Sequence, residues 1–126
     1  MDYKNVSIGN STLCIKLHVN NLIFNDAMTM CESEKAKLIV VTTKEQIADL
    51  KTFVGPYDWV LLGMSDEAVE THWVSWTGED VSPYWNSGEP NNMNNEDCIC
   101  VSHLGPGLVD TSCYGYLPFL CHKSFW

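Results

Sequence analysis

Arginine is absent from this 126-residue chain, and all seven of its basic residues are lysines. Between the last two, Lys51 and Lys123, there is no other. With 16 Asp and Glu the formal charge is −9. So few cations leave no patch able to neutralise phosphates, which argues against nucleic acid and anionic membrane surfaces as partners. No apolar run reaches the length of a bilayer span. No leader segment is visible, as expected of a mature form or a fragment. Gly-rich phosphate loops, internal repeats and low-complexity tracts are also lacking. No motif marks any thiol as an activated nucleophile.

What the chain does contain suits a packed globule. Hydrophobic residues make up 45% and there are five tryptophans. This length fits a single domain, residues 1–126. Six cysteines in so short a chain indicate an oxidising compartment and a disulfide framework, hence a secreted, extracellular protein. The sequons Asn5-Val6-Ser7 and Asn10-Ser11-Thr12 agree with that location. Six cysteines allow roughly fifteen pairings, and counting alone does not choose among them.

Residues 1–11 are polar and are expected to be loose. Leu13, Ile15, Leu17 and Val19 alternate with Cys14, Lys16 and His18, the period of a half-buried strand. A helix is expected from about Asn25 to Lys35, capped by Asn25 or Asp26. Leu38 to Val41 reads as a buried strand. Thr43 followed by Gln46 predicts a capping box, and Ile47, Leu50, Phe53 and Val54 form one face of the helix it opens. Gly55-Pro56 ends that helix. Trp59–Met64, Cys98–Val101 and Tyr116–His122 read as strands.

The charge distribution is the strongest functional signal. Ten of the 16 acids fall between Lys51 and Lys123: Asp58, Asp66, Glu67, Glu70, Glu79, Asp80, Glu89, Glu96, Asp97 and Asp110. Crowded carboxylates without basic partners repel one another, and an all-oxygen set of ligands suits calcium. From Ser65 to about Asn95 the chain has little periodicity, and a loop of that length in a compact domain is usually functional. Glu89-Pro90-Asn91 and Glu96-Asp97-Cys98 lie at its end.

Several stretches together resemble the C-type lectin-like domain. They are Cys31 at the end of the first helix, Leu62-Gly63-Met64-Ser65-Asp66, Trp73 to Trp76, Trp85-Asn86-Ser87-Gly88-Glu89-Pro90-Asn91-Asn92, Glu96-Asp97-Cys98 and Phe119-Leu120-Cys121. Leu61 stands where the family's core signature usually opens with an aromatic. The resemblance covers nearly the whole chain. It implies an α+β fold of two helices flanking small antiparallel sheets, with a long loop region. It also implies disulfides Cys31–Cys121 and Cys98–Cys113. Cys14 and Cys100 are left to pair together, to stay free, or to link a homodimer.

By the same resemblance, a primary calcium and sugar site falls on Glu89, Asn91, Glu96 and Asp110. An auxiliary calcium site falls on Asp66, Glu70, Asn92, Glu96 and Asp97, and the Glu89–Pro90 bond should be cis. The Glu-Pro-Asn order goes with mannose, fucose and N-acetylglucosamine in the family, which includes lectins of innate immunity. The chain departs from the pattern at Val109, where an Asn ligand is usual and no side-chain oxygen is present. That departure keeps an alternative open: a calcium-independent or weakly dependent domain that binds N-acetylated sugars or a protein ligand. Trp85, Tyr84 or His103 are candidates for an apolar wall beside a sugar, with Trp73 and Trp85 expected in the core. A zinc site on Cys98, Cys100, His103 and His122 competes with the need for Cys98 in a core bridge, and no enzymatic motif is present.

Overall fold

The computed structural model describes residues 3–90 and 96–123. Ten elements follow in chain order: β1 (Lys4–Ile8), β2 (Ser11–Leu22), α1 (Phe24–Ser33), β3 (Lys37–Leu38), α2 (Lys44–Val54), β4 (Val60–Ser65), β5 (Val74–Ser75), β6 (Cys98–Val101), β7 (Leu108–Thr111) and β8 (Leu117–Lys123). The strands form one sheet in the order β1-β2-β8-β4-β6-β7, with β3 on β8 and β5 on β4. All pairings are antiparallel except β4 with β8, where Leu61 meets Phe119 in parallel. That contact fuses what the sequence suggested were separate small sheets into a mixed one.

Strand alternation feeds two cores on opposite faces of this sheet. Leu62 and Met64 of β4 and Leu120 of β8 join Ile47, Leu50 and Val54 of α2. Leu61 of β4 with Phe119 and Cys121 of β8 join Phe24, Ala27 and Cys31 of α1. A side-chain period of two sends neighbours to opposite sides, so each helix is met by its own set. Fully burying one such side chain contributes about 1.5–3 kcal/mol. Both expected disulfides are formed, Cys31–Cys121 and Cys98–Cys113, and all four cysteines lie in the α1 core.

Helix α2 forms where its sequence predicted. The Thr43 side chain accepts from the Gln46 N–H at 3.1 Å while Gln46 Oε1 accepts from the Thr43 N–H at 3.2 Å. Gly55, at φ 60°, ends it. Helix α1 starts a residue earlier than expected, and neither Asn25 nor Asp26 caps it. The N-cap is Ile23, with no side-chain hydrogen bond. The Phe24 N–H instead reaches the carbonyl of Cys113 at 3.1 Å, and its ring is buried in the core. At the other end Lys35 takes φ 60°, and the Ala36 N–H closes back on the Cys31 carbonyl, a turn usually built with glycine.

The expectation that residues 1–11 are loose is wrong for 4–8 and 11. Lys4–Ile8 pairs along β2, Ile8 is fully buried, and the turn is tied to α2 by Gly9 N–H donating to Asp49 at 2.8 Å. Asn5 and Asn10 of the two sequons remain exposed. The expected strand over Leu38–Val41 shrinks to Lys37–Leu38, although Ile39 and Val41 stay buried. Gly63 of β4 lies against this segment. A Cβ there would come within 2.5 Å of the Leu38 carbonyl oxygen, so the close approach requires glycine.

Candidate functional site

The end of β4 and the approach to β6 gather the first group of acids. Asp66 follows β4 directly, and its N–H donates to the Asp97 carbonyl at 2.9 Å. The Asp66 side chain is only 2% exposed and accepts the Thr71 N–H on Oδ2 at 2.8 Å. Thr71 sits at φ 65°, and the turn it closes carries Glu70 back over Asp66. One oxygen each of Asp66, Glu70 and Asp97 lie within 4.8 Å of one another.

Two oxygens of this group lack donors. Asp66 Oδ1 and Asp97 Oδ1 are buried without a hydrogen-bond partner, and among the described residues no lysine reaches the group. Burial first, and then the carboxyl and charge of Asp97 and the charge of Glu70, push the Asp66 pKa up to about 6, against the opposing pull of the Thr71 N–H. Glu70 is also raised, by desolvation and then by Asp97 and Asp110. Orphaned oxygens and mutual repulsion are what a hard cation would relieve, so Asp66, Glu70 and Asp97 fit calcium.

A second group lies beside the first. Asp110 sits in β7, 2% exposed, opposite Ile99 of β6. The Asn86–Glu89 turn, closed by Glu89 N–H donating to the Asn86 carbonyl at 2.9 Å, delivers Glu89 to it, and the Glu89–Pro90 bond is cis as expected. Burial, then the carboxyl and charge of Asp110 and the charge of Glu96, push the Glu89 pKa up to about 7, while an N–H from the Asp110 backbone works against them. Glu89, Glu96 and Asp110 thus share one electrostatic neighbourhood. Asn91 and Asn92 lie outside the described residues. Val109 is buried and brings no oxygen.

Beneath these groups runs a scaffold. Trp73 is buried and meets Trp85 edge to face at 5.0 Å, but Trp85 is half-buried rather than fully in the core. Asn86, whose part the sequence did not reveal, is 9% exposed and accepts the Gly107 N–H on Oδ1 at 2.6 Å. A Cβ on Gly107 would come within 2.5 Å of the Trp85 carbonyl carbon. His103 does not form a sugar-facing wall: its ring nitrogen lies 2.9 Å from the Gly55 carbonyl and 3.1 Å from that of Tyr57. Tyr84 is exposed at the surface.

The sequence profile of the Lectin C-type domain matches residues 20–123. The chain belongs to the C-type lectin family. It is 34% identical over 104 residues to CD209 antigen-like protein D of Mus musculus, covering 79% of this chain and 43% of that protein. The chain spans less than half the length of the first curated relatives it matches. The mouse scavenger receptor C-type lectin carbohydrate-recognition domain superposes with a TM-score of 0.84 at 24% identity, over 97% of this chain and 93% of that one. A calcium-independent type II antifreeze protein shares the fold at a TM-score of 0.79 and 17% identity, over 98% of this chain and 97% of that one.

Members of the C-type lectin family are not enzymes, which disposes of the enzymatic alternative. The zinc alternative falls on geometry, because Cys98 is bonded to Cys113. Cys14 and Cys100 do not pair with each other. Cys100 is fully buried, and burial with nearby carboxylates pushes its thiol pKa up, so it is closed to an intermolecular link. Cys14 is half-buried on β2. No helix among the described residues is long and apolar enough to cross a membrane.

Proposed function

We propose that this C-type lectin domain is an extracellular, calcium-dependent receptor for neutral glycans of the mannose, fucose and N-acetylglucosamine type. The observation that carries the reading is the lysine-free acid group of Asp66, Glu70 and Asp97, with two buried oxygens that have no donor. Asp66, Glu70, Asp97, Glu96 and Asn92 would hold one calcium. Glu89, Asn91, Glu96 and Asp110 would hold the other. Calcium there supplies open coordination positions for a pair of vicinal sugar hydroxyls.

The chain's own residues then set orientation. In its ionised form Glu89 is an acceptor only, suited to a hydroxyl hydrogen, and Asn91 would be the matching amide donor. Asp110, held buried in β7 beside Glu89, would share that calcium, which would offset the repulsion between the two carboxylates. Disulfides and exposed sequons support a location outside the cell. A homodimer cross-linked by disulfide would go through Cys14, raising avidity over a shallow single site. Comparing mass with and without reductant tests that link.

Val109 favours a second reading, in which sugar or protein is bound without calcium, and the antifreeze neighbour demonstrates that the fold stands without the ion. A glycan array read with calcium and again with excess chelator separates the two. Loss of all binding in chelator is expected. Undiminished binding there would remove the calcium-dependent reading.

A further inference from the structure

Strand β1 is an outer edge of the sheet, and its two faces differ. Val6 and Ile8 pack into the α2 core. Alternation turns Asn5 and Ser7 the other way, and both are exposed. Asn5-Val6-Ser7 is a sequon, so its acceptor amide and its hydroxyl stand on one open face. Asn5 belongs to neither core, and a bulky group on it displaces no packed side chain. A substituent on an edge strand also hinders pairing with a second sheet. Across the ladder Asn5 is opposed by Cys14, and Lys123 of β8 continues the same row. Directly opposed residues share a face, with Cβ atoms about 4.5–5.5 Å apart. Cys14 is half-buried and carries no disulfide. On the α1 side Tyr3 overhangs the row: the amines of Lys16 and Lys123 lie 5.8 Å and 4.6 Å from its ring centre, and its hydroxyl donates to Glu34 at 2.7 Å. A reagent or a second chain therefore reaches Cys14 past Asn5, from the open edge.

We propose that Asn5 carries an N-linked glycan whose first sugars lie over Cys14 and close that thiol to reagents and to a second chain. The oligosaccharide comes from a lipid-linked pyrophosphate. The bond from the sugar's anomeric carbon to the pyrophosphate oxygen breaks, and a bond from that carbon to Asn5 Nδ2 forms. Nδ2 gives up one proton, and the lipid pyrophosphate leaves. With Asn5 occupied, the Cys14-linked homodimer is blocked; without the glycan, Cys14 is open. The inference rests on the extracellular reading above, because the donor is met on the secretory route, and it is independent of calcium and of sugar binding. Asn10 provides the comparison. It lies in the turn between β1 and β2, so a glycan there starts roughly 13 Å along β2 from Cys14, at about 3.3 Å per residue.

The full chain, secreted from cultured mammalian cells behind a cleavable leader, tests the assignment. Peptide mass spectrometry should find Asn5 glycosylated. Iodoacetamide applied to the folded glycoprotein should leave Cys14 unmodified. After glycosidase treatment of the folded protein, the same reagent should label Cys14 to completion. Asn5→Gln should expose Cys14 in the same way, whereas Asn10→Gln should keep it protected. Should Asn5→Gln fail to fold, the glycosidase comparison still decides. An unmodified Asn5 in the secreted protein overturns the site, and equal labelling of Cys14 with and without the Asn5 glycan overturns the shielding. Because the leader supplies the secretory route, either result leaves the extracellular reading intact. That reading would fail separately, on a reduced Cys31–Cys121 pair in protein from its natural source.

Discussion

Replacing Asp66 with Asn is expected to make the calcium-free protein more stable. Asp66 moves from an ordinary 3.8 to about 6 because its charge is buried among other acids. A carboxyl raised in the folded state binds more protons there than when unfolded. Between about pH 4 and pH 6 stability therefore falls as pH rises, and above the folded value the penalty is complete. Two pH units correspond to about 3 kcal/mol at pH 7. Asp66→Asn removes that charge, keeps an acceptor for the Thr71 N–H at the same place, and adds a donor toward the orphaned Asp97 oxygen. For a chain of this size 3 kcal/mol corresponds to roughly 10 °C in Tm. The assay is thermal unfolding in chelator and in calcium, at pH 7.0 and pH 4.5. In chelator the wild type should melt higher at pH 4.5 than at pH 7.0, and the variant should exceed it at pH 7.0. In calcium the order should reverse, because the variant has lost a ligand. A lower Tm for the variant in chelator, or an equal response to calcium in both proteins, would refute the reasoning.

Other outcomes follow from the same geometry. Gly107→Ala should destabilise by about 2 kcal/mol or more, seen as a lower denaturant midpoint, because the added Cβ meets the Trp85 backbone at 2.5 Å. Thr43→Ala should cost about 1 kcal/mol through loss of the α2 cap, measured the same way. Removing Cys98–Cys113, whose cysteines are 15 residues apart, should cost about 3 kcal/mol, and the double Cys→Ala variant in urea unfolding checks it. Under native conditions an alkylating reagent should add to Cys14 but not to Cys100, and mass spectrometry should find the second adduct only after unfolding.

Some of this protein was legible before folding was considered, because the information is local. The Thr43–Gln46 box and the Gly55 stop lie within a few residues of the helix they bound, and α2 formed where they pointed. Period-two alternation located β2, although pairing there depends on β8. Other elements were obscured because distant contacts set them. Lys4–Ile8 has one strongly buried apolar residue, so nothing local distinguishes it from a loose end, and its order comes from β2 and from Asp49 of α2. Asn25 was a plausible cap, but helix α1 is placed by burial of Phe24 and by the Cys113 carbonyl, nearly ninety positions away in sequence.

The sequence alone determined that acids crowd a stretch without lysines and that Glu89-Pro90 precedes Glu96-Asp97, because composition and order survive any folding. Tertiary structure decided which acids meet. The Asp66–Asp97 backbone bond and the Thr71 turn bring Glu70 to the first group, while β7 carries Asp110 to Glu89. It also decided what Val109 does. As a letter it is a missing oxygen; in the folded chain it is a buried residue lining a recess together with Asn86 and Glu89. Distance in space and exclusion of water, neither of which is written in residue order, turn the same side chains into a site.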